Sequence, residues 1–91
     1  MTPAVPKDCA DHDPVYREWI RSHPCCISDM PAECAHVRVR LHGDLGNCVP
    51  LAPHLHREIH RHGIKSFARK YGIDLAQVAA AYAEAYTREM V

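Results

Sequence analysis

The chain has 91 residues, 47% apolar and 24% charged, with a formal net charge of zero. That is one small domain with enough apolar content for a core, though a thin one. No apolar run approaches the roughly 20 residues of a membrane span, and the opening MTPAVPKDCADHD has no apolar signal region. The sequence therefore predicts no membrane partner and a cytoplasmic setting.

Five cysteines are present, Cys9, Cys25, Cys26, Cys34 and Cys48. An odd count, irregular spacing and no export signal speak against a disulfide framework and for free thiols or partial metal ligation. The zero net charge hides an asymmetry. Residues 1–35 carry three Lys/Arg against six Asp/Glu, whereas residues 36–70 carry seven against two, Asp44 and Glu58. The basic block contains LAPHLHREIHRHG, residues 51–63, with four of the eight histidines: His54, His56, His60 and His62. Basic charge around a candidate metal site suits a phosphate-bearing substrate; the alternative is a solvated basic face.

In chain order, residues 1–12 are rich in Pro and Asp and read as a flexible tail. DPVYREWIRSHP reads as a helix, with Asp13 as cap, Pro14 in the first turn, Val15, Trp19 and Ile20 on the inward face, and Pro24 ending it. CCISDMPAE is a turn. CAHVRVRL alternates, so a strand would place His36, Arg38 and Arg40 on one face and Val37, Val39 and Leu41 on the other. HGDLGN is a glycine loop, and NCVPL a short second strand antiparallel to the first, with Pro50 at its end or on an edge. APHLHREIHRHG is a helix between Pro53 and Gly63, IKSFARKYG a further helix, and Asp74 with Gln77 resembles a capping box before the last helix. In that last helix Leu75, Val78, Ala79, Tyr82 and Tyr86 form an apolar stripe that either caps the domain's own core or pairs with a second copy in a homodimer.

The candidate chemistry lies in the strand–loop–strand–helix unit. His56 and His60 stand one helical turn apart and can reach a single cation. His36, projecting from the strand, can act as general base toward a water. Asn47 can orient it through a side-chain amide bond, and is equally a good turn residue after Gly46. His54 and His62 lie off the His56/His60 face. Arg57 and Arg61, also four apart, are a phosphate rail or a solvated stripe.

At these residues the chain resembles the HNH nuclease family. The likeness is carried by CAHVR, GDLGNCVPLA and HLHREIH, and by GIKSFARKYGIDL, which is similar to the tail of small phage- and prophage-associated HNH proteins; it spans about residues 24–75. The resemblance implies an α+β fold built on a ββα-metal finger, core about 34–62, with an N-terminal helix and C-terminal helices at 64–91 in one domain, 13–91. It implies a metal-dependent endonuclease hydrolysing DNA phosphodiester bonds. His36 would be the general base, Asn47 the middle residue that holds loop and base, and His56 a ligand of one catalytic divalent ion (Mg2+, Mn2+, Ni2+ or Zn2+). His60 would be a second ligand or a phosphate contact, and Arg38 and Arg40 would face the DNA backbone; apart from the resemblance, Arg57, Arg61 and the loop residue His42 are further candidates for DNA contact. Two departures matter. Many relatives hold a structural zinc with two cysteine pairs; here Cys25 is kept, but Ser28, Ala52 and Leu55 occupy the other three positions. Apolar packing in place of the zinc is expected, with a structural zinc held through Cys34 or Cys48 in an altered arrangement as the less favoured alternative. Many relatives also place an Asp or His metal ligand before the base, where this chain has Ala35. The metal would then rest on His56, His60 and waters, with Asp44 or Cys34 as further donors. These departures keep an alternative open, a catalytically inactive HNH-derived module that binds DNA or a protein. A third class is a histidine-based metal-binding protein with no nucleic-acid partner.

Overall fold

Two short segments with different patterns, ECAH and CVPL, pair to make the sheet. β1 (Glu33–His36) and β2 (Cys48–Leu51) are antiparallel, with Glu33 opposite Leu51 and His36 opposite Cys48. The structure is a computed structural model describing residues 13–38 and 43–90, without the side chain of Met90. The expected tail at 1–12, and the part of the predicted first strand at 39–42 with Arg40 and His42, lie outside the described residues.

The expected alternation holds on the described part: Ala35 and Val37 are buried, His36 is half-buried and Arg38 exposed. Strand β1 itself is shorter than predicted and ends at His36, because its partner begins only at Cys48. One further bond, from Val37 N to Asn47 O at 2.9 Å, closes the ladder. Gly43 and Gly46, both at positive φ, then carry the loop chain away from strand geometry. Pro50 lies inside β2, opposite Cys34, and of the two places expected for it the edge is the one found, since with two strands β2 is an edge strand. Because Val37 and Asn47 form a hydrogen-bonded pair, the alternation of an antiparallel ladder makes Cys34 and Pro50 a non-hydrogen-bonded one. The missing N–H of Pro50 therefore faces away from β1 and costs no ladder bond, while its carbonyl accepts from Cys26 N at 3.0 Å.

Four helices surround the sheet among the described residues. In α1 (Pro14–Arg21) the Asp13 carboxylate caps the first turn by accepting from Tyr16 N at 3.0 Å. Its inward residues are Tyr16 and Ile20, an i, i+4 pair. Val15, expected on that face, is instead exposed, and Trp19 is half-buried. The face turns this way because Tyr16 and Trp19 meet Tyr86, at ring separations of 4.8 and 5.1 Å with steep interplanar angles. Such edge-on pairs are each worth about 0.5–1.5 kcal/mol beyond their burial.

α2 (Pro53–His62) and α3 (Ile64–Tyr71) share one joint, Gly63, which ends the first and begins the second. Its φ of 88° and ψ of 159° are open only to glycine. Gly72 closes α3 in the left-handed region, and Asp74 opens α4 (Leu75–Met90) by accepting from Gln77 N at 3.1 Å. The apolar stripe predicted for α4 faces inward: Leu75 and Ala79 are buried, and Val78, Tyr82 and Tyr86 pack against the core.

The result is a small α+β domain whose core lies on both faces of the sheet. On one face Ala35, Val49 and Leu51 pack with Leu55, Ile59, Phe67, Leu75 and Ala79. On the other, Cys48 packs with Tyr16 and Ile20, flanked by Cys34, Trp19, Tyr82 and Tyr86. Burial of both faces explains why β2 is apolar at every position. Cys25, Ala52 and Leu55 belong to the first cluster, so three of the four positions that hold zinc in the resembled family pack together as core. Ser28 is exposed, but its backbone N–H still points to Cys25 Sγ at 3.4 Å, beside that of Ile27 at 3.5 Å. No described helix is long and apolar enough to cross a membrane.

Candidate functional site

His36 ends β1, and the loop between the strands returns a carboxylate to it. Asp44 Oδ1 lies 2.7 Å from His36 Nε2. The same carboxylate accepts from Asp13 N at 2.6 Å through Oδ2, and Arg17 Nε lies 3.4 Å from Oδ2. Asp44 is thus a hub joining the start of α1, the end of β1 and the loop, and only 3% of its side chain is exposed. Burial pushes its pKa up, but the Asp13 N–H, the His36 imidazole and the Arg17 charge together outweigh burial and hold it below the usual carboxylate range. An ionised carboxylate can only accept. His36 Nε2 must therefore carry the hydrogen, which leaves Nδ1 as the ring nitrogen able to take a proton.

Asn47 serves the loop. Its side-chain N–H donates to Gly43 O at 2.8 Å, its backbone N–H donates to Asp44 O at 3.0 Å, and its carbonyl accepts from Val37 N. It is buried and braces the turn that carries Asp44. The short bond that orients His36 is made by Asp44, while Asn47 positions Asp44.

On α2, His56 and His60 stand side by side. Glu33 Oε1 lies 2.9 Å from His56 Nδ1, and His56 Nε2 lies 3.3 Å from His60 Nε2. With Glu33 accepting from Nδ1–H, the Nε2 lone pair of His56 points to His60. Two imidazole nitrogens so placed share either a proton or a cation. For a zinc-like ion at about 2.0–2.1 Å from each nitrogen, tetrahedral ligands stand roughly 3.3 Å apart. The carboxylate behind His56 is the arrangement that orients metal-bound histidines. This donor pair fits a divalent ion.

His36, His56 and His60 line one cleft of about 800 Å3, with Arg17, Arg38 and Lys65 adding positive charge to its walls. The predicted base and the predicted metal ligands are thus brought together. Arg57 and Arg61 are exposed but are not part of the described lining. Ala35, before His36, is buried in the core and offers no donor to the cleft.

A second group lies where Cys34 meets the cleft. His36, Asp44 and Cys48 each present a ligand atom, all within 4.8 Å of one another. Cys34 hydrogen-bonds to Cys48. That bond holds the half-buried Cys34 thiol below its ordinary pKa; the same bond, together with burial, pushes the fully buried Cys48 thiol up.

Sequence reading alone gave no role to Glu33, Arg17 or Lys65, and named Asp44 only as a further metal donor. The signal for Asp44 was present: an acid between two loop glycines, close before the strand that pairs with His36. Glu33 carried none, because its meeting with His56 depends on how α2 lies across β1. No family model matches the chain, and neither does any curated protein or solved structure with which it was compared.

Proposed function

We propose that the chain is a metal-dependent endonuclease of the ββα-metal (HNH) type, hydrolysing DNA phosphodiester bonds in this cleft. The observation that carries the reading is the shared cleft. An Asp44-oriented His36 and a Glu33-oriented His56/His60 pair open into one space lined with Arg17, Arg38 and Lys65. A base, a divalent-ion ligand pair and phosphate-binding cations are what phosphodiester hydrolysis requires. The β1–loop–β2–α2 order supports the ββα-metal assignment.

In this reading His36 Nδ1 takes a proton from water as the water oxygen bonds to phosphorus. The bond from phosphorus to the 3′ oxygen breaks on the opposite side. Asp44 keeps Nε2 protonated and stabilises the imidazolium that forms. His56 and His60 would hold the divalent ion, which supplies positive charge to the phosphate and the departing oxygen. Arg17, Arg38 and Lys65 bind and orient the backbone phosphates.

A second reading, a DNA-binding module that does not cut, is favoured by the core-facing Ala35, which leaves His56 and His60 as the donors on the helix. One experiment separates the two. Supercoiled plasmid is incubated with the protein and Mg2+, Mn2+, Ni2+ or Zn2+, with EDTA as control, beside His36→Ala checked for fold by circular dichroism. Metal-dependent nicking or linearisation that His36→Ala loses while still retarding DNA is expected. Cleavage by that variant at the parental rate removes His36 from the mechanism. Salt-sensitive DNA binding with no products under any ion establishes the non-cutting module.

A further inference from the structure

We propose that His36, Asp44 and Cys48, with Cys34 beside them, form a separate site for a borderline-soft divalent cation of the zinc class. The donor set is the first argument. One imidazole nitrogen, one carboxylate oxygen and one sulfur lie within 4.8 Å of one another, and a second sulfur is hydrogen-bonded to the first. Nitrogen, carboxylate oxygen and thiolate are the ligands zinc takes in tetrahedral sites, whereas magnesium and calcium select oxygen. The His56/His60 pair holds no sulfur, so the two places differ in the ions they prefer.

Charge is the second argument. As the group stands, His36 Nε2 donates its hydrogen to Asp44 Oδ1, and Cys34 is hydrogen-bonded to Cys48. A divalent ion entering would displace the thiol protons, while the His36 hydrogen moves from Nε2 to Nδ1 and frees the Nε2 lone pair, the usual course for thiolate and imidazole ligands. Two thiolates and the Asp44 carboxylate are then balanced by the ion and by Arg17, which already stands 3.4 Å from Asp44. The group becomes neutral, which matters because Asp44 and Cys48 are almost fully buried. Access is the third. Cys34 and His36 line the cleft, so the ion has a route from solvent to the buried donors behind them.

Occupation would hold His36 by Nε2, the nitrogen now turned to Asp44, and put the ring's hydrogen on Nδ1, which could then no longer take a proton. On the reading of His36 as base, zinc bound here would slow a reaction run on magnesium or manganese. The binding itself does not depend on that reading.

Cobalt(II) is the probe, titrated into the full chain kept reduced with a phosphine. The expected result is a near-ultraviolet sulfur-to-cobalt charge-transfer band saturating at one equivalent, with the visible bands of a tetrahedral ion. The band should persist in the double variant His56→Ala/His60→Ala. It should fall to the level of cobalt in buffer in both Cys48→Ser and His36→Ala. His36 is half-exposed, so its variant answers the question even where Cys48→Ser fails to fold. The absence of the band at stoichiometric cobalt overturns the proposal. So does a band that survives in His36→Ala, or one that the double histidine variant removes. None of these readouts involves DNA cleavage, so the site stands or falls apart from the nuclease reading.

Discussion

Asp44→Asn is the sharpest test of how the site is built, because one buried carboxylate serves three elements. Its two short bonds, 2.6 Å from Asp13 N and 2.7 Å from His36 Nε2, are charge-assisted. Bonds to charged groups contribute about 1.5–3 kcal/mol each. Asparagine keeps the shape and one accepting oxygen, so part of one bond survives. Its amide nitrogen, however, meets groups that also donate: the Asp13 N–H, Arg17 Nε or His36 Nε2. Arg17 also loses its counter-charge. The expected loss is about 3 kcal/mol. For a domain of this size each kcal/mol moves the midpoint by about 4–8 °C, so the variant should melt roughly 12–24 °C lower. The assay is thermal and urea unfolding at neutral pH followed by circular dichroism. The control is Glu84→Gln, whose exposed ion pair with Arg88 at 3.9 Å should move the midpoint little. A midpoint for Asp44→Asn no lower than that of Glu84→Gln would refute the hub.

Two further outcomes follow from backbone and burial. Gly63→Ala should destabilise by about 1–3 kcal/mol, because a φ of 88° with ψ of 159° is closed to alanine. A Cβ there would meet nothing within 4 Å, so the cost is torsional and not steric crowding. Gly72→Asn, at φ 63° and ψ 40°, should cost far less in the same urea titration, because asparagine tolerates that region. Equal losses at the two glycines would contradict the account. Burial pushes the Tyr16 hydroxyl up to about 12 against the weaker, opposing effect of the Gly46 backbone. A raised phenol pKa means that the folded state favours the neutral form. The stability it brings is whole below the unfolded value of about 10 and drains as pH rises toward 12. Ultraviolet titration of the protein beside Tyr16→Phe should assign one late-appearing phenolate to Tyr16, emerging together with loss of helix signal. A Tyr16 phenolate forming near pH 10 with the fold intact would show that the ring is not sealed in the core.

Patterns that repeat along the chain were legible before folding, and contacts between distant segments were not. The i, i+4 spacing of His56 and His60, the alternation around His36, the α4 stripe and the caps at Asp13 and Asp74 are local rules written into short windows. Each appears where it was expected, the alternation as far as Arg38 on the described residues. The inward face of α1 is not legible locally, because its orientation is decided by Tyr86, seventy residues beyond Tyr16. The length of β1 is not legible locally either, because a strand lasts only as long as its partner, and β2 starts at Cys48. In the site, residue types announced the imidazoles but not the carboxylates behind them. Glu33 finds His56 across 23 positions and Asp44 finds His36 across eight, so neither pairing is a spacing rule.

Pro50 has a consequence for self-association. In a two-stranded sheet each strand has an outer edge to which another chain can add itself. On β2 that edge is presented by Cys48 and Pro50, since the alternate residues face β1. Proline offers no N–H, and its carbonyl is already taken by Cys26. An incoming strand would find too few partners to dock, which is how natural sheets guard against aggregation. Copies of this chain cannot zip together by sheet extension at β2, and any assembly from that side must be made with side chains.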